Sequence, residues 1–151
     1  MTTELKQPLG PRFSSALTLA ADIHRVQPRK GTQVPYLAHV LGVASLALEY
    51  GANEDEAVVA LLHDAIEDAP DALGPGKADT VRGWIRLKFG DQVLGLVERC
   101  TDADEDPKPP WRVRKEQYVS SIARASPSVL LISLADRAHN VRAILRDYGA
   151  V

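Results

Sequence analysis

The sequence is poor in cysteine, in aromatic residues and in net charge, and each shortage narrows what the chain can be. Cys100 is the one cysteine, which excludes an internal disulfide and a cysteine-rich zinc site. Nothing beside it in the sequence would activate a thiol, so it reads as a small core residue and not as a nucleophile. Aromatic residues make up only 5% of the chain. Leu, Val, Ile and Ala must therefore fill the core, and the alanine-rich stretches favour helix directly. The formal net charge is -2, so no broad basic field recruits nucleic acid, although a local basic pocket fits inside a slightly acidic protein. No apolar run reaches bilayer length and no charged-then-apolar leader opens the sequence. The expectation is a soluble, cytoplasmic protein with neither a membrane nor a nucleic acid as partner. The phosphate-cradling pattern G-x-x-x-x-G-K-[ST] is also missing.

What is present is an ordinary globular mixture, 45% hydrophobic and 25% charged over 151 residues, enough for one domain with a real core. There is no internal repeat and no low-complexity tract. Residues 1–12, with Pro8 and Pro11, read as a flexible lead-in, and 13–151 as one all-α helical bundle. The first helical pattern runs from Phe13 to about Val26, with Leu17, Ala20, Ala21 and Ile23 on one face, and Pro28 stops it. A polar loop, QPRKGTQVP, follows. The second helix spans about Leu37 to Glu49 and directs Val40, Val43, Ala44 and Ala47 inward, with Gly51 past its end. Asn53 and Glu56 have capping-box spacing before a third helix through Val58, Leu61, Leu62 and Ala65 to about Asp68. Further helices are expected over Thr80–Phe89, Asp91–Cys100, Trp111–Ala125 and from Pro127 to about Arg146. The acidic, proline-rich TDADEDPKPP between two of them reads as a solvated connector. The run VLLIS has strand propensity, but its continuation into ADRAHNVRAIL favours helix.

Four ionisable residues sit in surroundings too apolar for surface polarity. His39 lies in YLAHVLGVA, His63 and Asp64 follow Ala60-Leu61-Leu62, and Asp136 follows Leu134-Ala135. A carboxylate held against a core-facing helix needs compensation, since leaving it unpaired costs several kcal/mol. A divalent cation compensates several such groups at once. Two imidazoles and two carboxylates make a mixed nitrogen and oxygen donor set suited to manganese, iron or zinc. Taken singly, a His on an apolar helix reads as a hydrogen-bonded core residue and an Asp near a helix end as a cap. The string HDAIED joins them. Glu67 falls four residues after His63, and Asp68 four after Asp64, so on a helix each pair shares a face. Glu67 and Asp68 are then placed to orient an attacking water and accept its proton. An acidic C-terminal turn opposes the helix dipole, which leaves the pair without an obvious stabilising role.

These segments resemble the HD-domain superfamily. The resemblance is strongest to the hydrolase domain of the RelA/SpoT alarmone enzymes and to the small stand-alone Mesh-type hydrolases. It is carried by QPRK at Gln27–Lys30, PYLAH at Pro35–His39, LLHDAIED at Leu61–Asp68, Thr101-Asp102 and LADRAHN at Leu134–Asn140, in the family's order over nearly the whole chain. It implies that His39, His63, Asp64 and Asp136 ligate a metal, usually manganese, and that Glu67 and Asp68 position or activate water. It further implies that Arg29 lies against a guanine base and that Lys30 supports that face or a phosphate. Asn140 would hydrogen-bond the nucleoside, and Arg112 and Lys115 would face phosphates. The family usually continues with another helix after the Asn140 segment. This sequence ends at Val151, a departure that touches the far wall of the nucleotide pocket and not the metal site. His24 and His139 match no family ligand and read as structural.

The activity so implied is metal-dependent removal of the 3′-pyrophosphate of ppGpp or pppGpp, giving GDP or GTP, without synthesis of the alarmone. Three alternatives stand beside it. One keeps the fold and acts on NADPH or another nucleotide. A second is a non-catalytic nucleotide-sensing module, which would not need Glu67 and Asp68. The last is a purely structural bundle, which leaves the ionisable cluster unexplained.

Overall fold

The computed structural model describes residues 8–101 and 109–149, which form eight helices and no strand. They are α1 (Pro11–Ile23), α2 (Leu37–Glu49), α3 (Glu54–Leu62), α4 (Ala65–Leu73), α5 (Ala78–Phe89), α6 (Asp91–Cys100), α7 (Trp111–Ile122) and α8 (Pro127–Tyr148). The all-α expectation holds, including for VLLIS, which lies within α8. Most of the acidic connector and the family-like Asp102 fall outside the described residues.

The centre of the bundle is α3. Its sequence AVVALL is apolar on every side, and Ala57 through Leu62 are all fully buried, as a helix surrounded by other helices must be. α1, α2, α6 and α8 pack around it. Its start is held by the expected capping box: Asn53 Oδ1 accepts from the Glu56 N–H at 2.9 Å and the Glu56 carboxylate accepts from the Asn53 N–H at 2.9 Å.

Besides shifts of two or three residues at helix ends, such as α1 stopping at Ile23 and not Val26, three features differ from the sequence reading. α1 begins at Pro11, inside the expected lead-in, because α3 supplies its missing cap. The Glu54 carboxylate accepts from the Gly10 N–H at 2.6 Å and from the Phe13 N–H at 3.4 Å, two of the donors a helix start leaves open. Arg12 ties the same end to Asp55 and to the Phe89 carbonyl. Next, the long third helix is two helices. α3 ends at Leu62, His63 and Asp64 form a turn, and α4 begins at Ala65 with Asp64 as its N-cap residue. Pro70, expected beyond the helix, lies inside α4. Finally, the loop before α2 is a closed, hydrogen-bonded turn. The Arg29 N–H donates to the Val34 carbonyl and the Tyr36 N–H to the Gln27 carbonyl, each at 2.8 Å, with an isolated bridge pairing Pro28 and Pro35. Gly31, at φ +74°, makes the reversal.

Candidate metal centre

The site forms where α2, the α3–α4 turn and α8 meet. α2 carries His39, the turn carries His63 and Asp64, and α8 carries Asp136. His63 Nε2 lies 3.0 Å from Asp64 Oδ2 and 3.7 Å from Asp136 Oδ1. His39 Nε2 lies 3.1 Å from Asp136 Oδ1 and 3.5 Å from Asp64 Oδ2. Donor atoms sharing one ion at about 2.0–2.2 Å stand roughly 3.0–3.5 Å apart, so this spacing suits a common centre. His39, His63 and Asp136 form a group whose ligand atoms all lie within 4.8 Å of one another.

The surroundings fit a cation. Both imidazoles are buried, while the two carboxylates keep a partly open edge. His63 Nδ1 lies 2.8 Å from the Ala60 carbonyl, to which it donates. That leaves the His63 Nε2 lone pair, fully buried and without a hydrogen bond among the described residues, turned toward the carboxylates. A ring N–H fixed by a carbonyl is how a protein aims the other nitrogen at a metal. Tyr36 donates its hydroxyl to Asp64 Oδ2, and the Asn140 amide donates to Asp136 Oδ1 at 2.8 Å, so each carboxylate is also oriented.

The electrostatics show the same demand for positive charge. Burial alone would push the His63 pKa down, but the charge on Asp64 and the Asp136 contact hold it well above the ordinary imidazole value. Burial would raise Asp64, yet His63, His39 and Tyr36 hold it well below the carboxylate range. Asp136 is likewise held low against burial, by the adjoining His39 and His63 rings. The carboxylates stay charged, and either imidazolium protons or a cation must balance them.

Glu67 and Asp68 fall in the first turn of α4, not at the end of a longer helix. Carboxylates there are favoured by the helix dipole, so the electrostatic objection raised by the sequence disappears. The two residues face different spaces. Glu67 lines the cavity of about 190 Å³ that holds the metal candidates, together with Lys115, Arg137 and Asn140. Asp68 lines an adjacent cleft with Gln27, Lys30 and Tyr36. Its Oδ2 accepts from Gln27 Nε2 at 3.0 Å, and Gln27 Oε1 is 2.7 Å from His24 Nδ1. Burial, with the charge of Asp64, raises the Asp68 pKa to about 6.

Of the residues expected at a nucleotide, Arg29 reaches the site from its loop. Its Nη2 donates to Asn140 Oδ1 at 2.8 Å, while its Nη1 is buried without a partner among the described residues. Lys115 lines the metal cavity. Arg112 is not among the lining residues: its exposed side chain turns along α7 and pairs with Glu116 at 3.0 Å. Sequence reasoning singled out neither Tyr118 nor Arg137, whose guanidinium lies 4.4 Å from the Tyr118 ring centroid at the cavity wall. Arg137 follows Asp136 directly in LADR, so its signal was in the motif; Tyr118 carried none. Tyr36, inside the quoted PYLAH, contacts both carboxylate-bearing spaces. Cys100, read from the sequence as a small core residue, is half-buried and lines the same cavity, with burial raising its thiol to about 11.

A bundle that brings two histidines and two aspartates from distant segments to one partly open cavity is the arrangement that names the HD domains. The sequence model of the HD domain matches residues 16–148, and the chain belongs to the HD-domain family. Among named relatives, it is 37% identical over 134 residues to the guanosine-3′,5′-bis(diphosphate) 3′-pyrophosphohydrolase MESH1 of Mus musculus, covering 87% of this chain and 68% of that one. It is 32% identical over 139 residues to the bifunctional (p)ppGpp synthase/hydrolase SpoT of Escherichia coli (strain K12), covering 88% of this chain and 18% of that protein. A solved structure, of a metazoan ortholog of SpoT described as hydrolysing ppGpp, superposes with a TM-score of 0.75 at 32% identity, over 91% of this chain and 72% of that one.

Proposed function

We propose that residues 13–151 act as one manganese-dependent hydrolase domain that removes the 3′-pyrophosphate of ppGpp or pppGpp in the cytoplasm and does not make the alarmone. The observation that carries this is the convergence of His39, His63, Asp64 and Asp136 beside Glu67 in a cavity edged by Lys115 and Arg137. Relatives named for this reaction match most of the chain, which supports the substrate.

His39, His63, Asp64 and Asp136 would hold the ion, which supplies Lewis acidity at the phosphoryl group and acidifies a water. Glu67, on the same cavity, would orient the attacking water and take its proton as the water oxygen bonds to phosphorus and the bond from phosphorus to the nucleotide 3′-oxygen breaks, the proton then passing to that leaving oxygen. Asp68, which accepts from Gln27 at the neighbouring cleft, adds negative charge behind Glu67 and is the alternative proton acceptor. Lys115 and Arg137 offset charge building on the phosphoryl oxygens. Arg29 presents a flat guanidinium to the guanine base, and its buried, unsatisfied Nη1 is a donor that a ligand would complete. Asn140, already shared by Arg29 and Asp136, links the base side of the pocket to the metal side.

The test is incubation of the purified protein and Mn²⁺ with ppGpp, NADPH and common nucleoside phosphates, with products separated by anion exchange. GDP and pyrophosphate from ppGpp, abolished by chelator, is the expected outcome. Release of phosphate from NADPH with ppGpp left intact would overturn the substrate.

A further inference from the structure

One buried histidine at the centre has no part in the mechanism above. His139 is 7% exposed and lies on α8 three residues after Asp136. Its Nδ1 is 2.9 Å from His39 Nδ1, and the two ring centroids are 4.9 Å apart. A place has been cleared for it. Gly42 is one turn beyond His39 on α2, and a Cβ at Gly42 would meet Cδ2 and Nε2 of the His139 ring at 2.2 Å. No side chain larger than hydrogen leaves room for that ring. Glycine inside a helix is less favourable than alanine, so α2 keeps a weak helix former at the one point where His139 must enter.

The consequence follows from imidazole chemistry. A neutral imidazole carries one N–H and one lone pair. For His39 Nε2 to give its lone pair to a cation, its proton must sit on Nδ1, and a buried N–H needs an acceptor. His63 meets the same need with the Ala60 carbonyl. The atom facing His39 Nδ1 is a ring nitrogen of His139. We infer that His139, seated in the Gly42 notch, is the positioning residue for His39: it accepts the Nδ1 proton, fixes the tautomer and ring angle, and thereby sets metal affinity. This rests on the metal-site reading above, and deepens it by assigning a residue that ligates nothing.

The test compares His139→Leu, which removes the acceptor, with His139→Asn, whose amide oxygen falls where Nδ1 lies. Both remove the ring and should lower the melting temperature of the metal-free protein alike. They should part on metal. Mn²⁺ dissociation constants, read by electron paramagnetic resonance, should rise about ten- to a hundredfold in His139→Leu, the usual range for losing such a partner, and stay within about threefold of wild type in His139→Asn. Gly42→Ala should weaken Mn²⁺ as His139→Leu does, because the added methyl meets the His139 ring first. In the Zn²⁺-loaded protein, the hydrogen-bonded Nδ1 proton of His39 should give a slowly exchanging resonance in wild type and His139→Asn, and lose it in His139→Leu. Unchanged Mn²⁺ affinity in His139→Leu, or equal losses in the Leu and Asn variants, overturns the inference and leaves the functional reading standing. Intact metal behaviour with no ppGpp hydrolysis by the wild type overturns the functional reading instead. Wild-type protein that binds neither Mn²⁺ nor Zn²⁺ overturns both.

Discussion

Asp68 and Glu67 are neighbours in sequence with the same chemistry, and the fold gives them different surroundings. Glu67 opens on the candidate metal cavity, whereas Asp68 is half-buried, accepts from Gln27 and faces the next cleft. Glu67→Gln should keep Mn²⁺ and substrate binding and lose about a hundred- to ten-thousandfold in kcat, because an amide is a poor proton acceptor. Single-turnover rates with independently measured metal affinity check this, and near-normal turnover would transfer the role to Asp68. The Asp68 pKa is raised to about 6 from an ordinary 3.8, by burial and then by Asp64. The folded state thus binds this proton more tightly than the unfolded chain, so the cost of the buried charge is absent below 3.8 and complete above 6. Carbon-13 titration of the Asp68 carboxyl should give a midpoint near 6, and kcat/KM should fall as pH drops through it. A midpoint at the ordinary carboxylate value would show that the group is solvated. Arg29→Ala should raise the KM for ppGpp about five- to thirtyfold, the equivalent of one or two kcal/mol of cation stacking. A small phosphoester without a base should be little affected, and equal losses on both would place Arg29 at phosphate or in folding.

Among the elements, α3 is the one on which the site depends most. It is buried on all sides and ends where the site begins, with His63 directly after Leu62. The stop at that point is what turns Asp64 into the N-cap of α4 and moves two carboxylates from an unfavourable helix end to a favourable helix start. Leu61 is fully buried. Leu61→Ala should therefore cost about 2–5 kcal/mol of stability, transfer and cavity terms together, read as a lower urea midpoint at constant slope. A loss under about 1 kcal/mol would mean that the bundle closes around the gap more readily than a dense core does. α7 is the contrast. It has no buried residue among those described, so it forms a wall of the cavity and contributes little to the core. Lys115 and Tyr118 reach the cavity from α7 while Arg112 points away.

Across the whole molecule, the candidate ligands tie together α2, the α3–α4 turn and α8, segments spread from residue 39 to residue 136. An ion there binds the folded chain and has no preformed site in the unfolded one. Mn²⁺ at a hundred times its dissociation constant should therefore stabilise the protein by about 2.7 kcal/mol, seen as a rise in melting temperature that chelator reverses. A melting temperature indifferent to Mn²⁺ would mean that the four groups balance one another by protons alone. No helix of the described residues is long and apolar enough to cross a membrane, in agreement with the hydropathy of the sequence.

By itself the sequence determined the helical class, the order of the helices and the identity of the ionisable residues that meet. These are local or compositional properties: a 3.6-residue apolar period, a capping box at Asn53, and charged side chains in the apolar runs before His63 and Asp136. Only the tertiary structure decided which side chains share a space. It broke one expected helix at His63-Asp64, drew Pro11 and Arg12 into α1 through contacts to α3 and α5, and separated Glu67 from Asp68. It also seated His139 against Gly42. The last three depend on an atom far away in the chain: the Glu54 carboxylate for the α1 start, Gln27 for Asp68, His39 for His139. Periodicity and capping rules reach one helical turn, and partners 41 to 100 residues apart are chosen by packing alone.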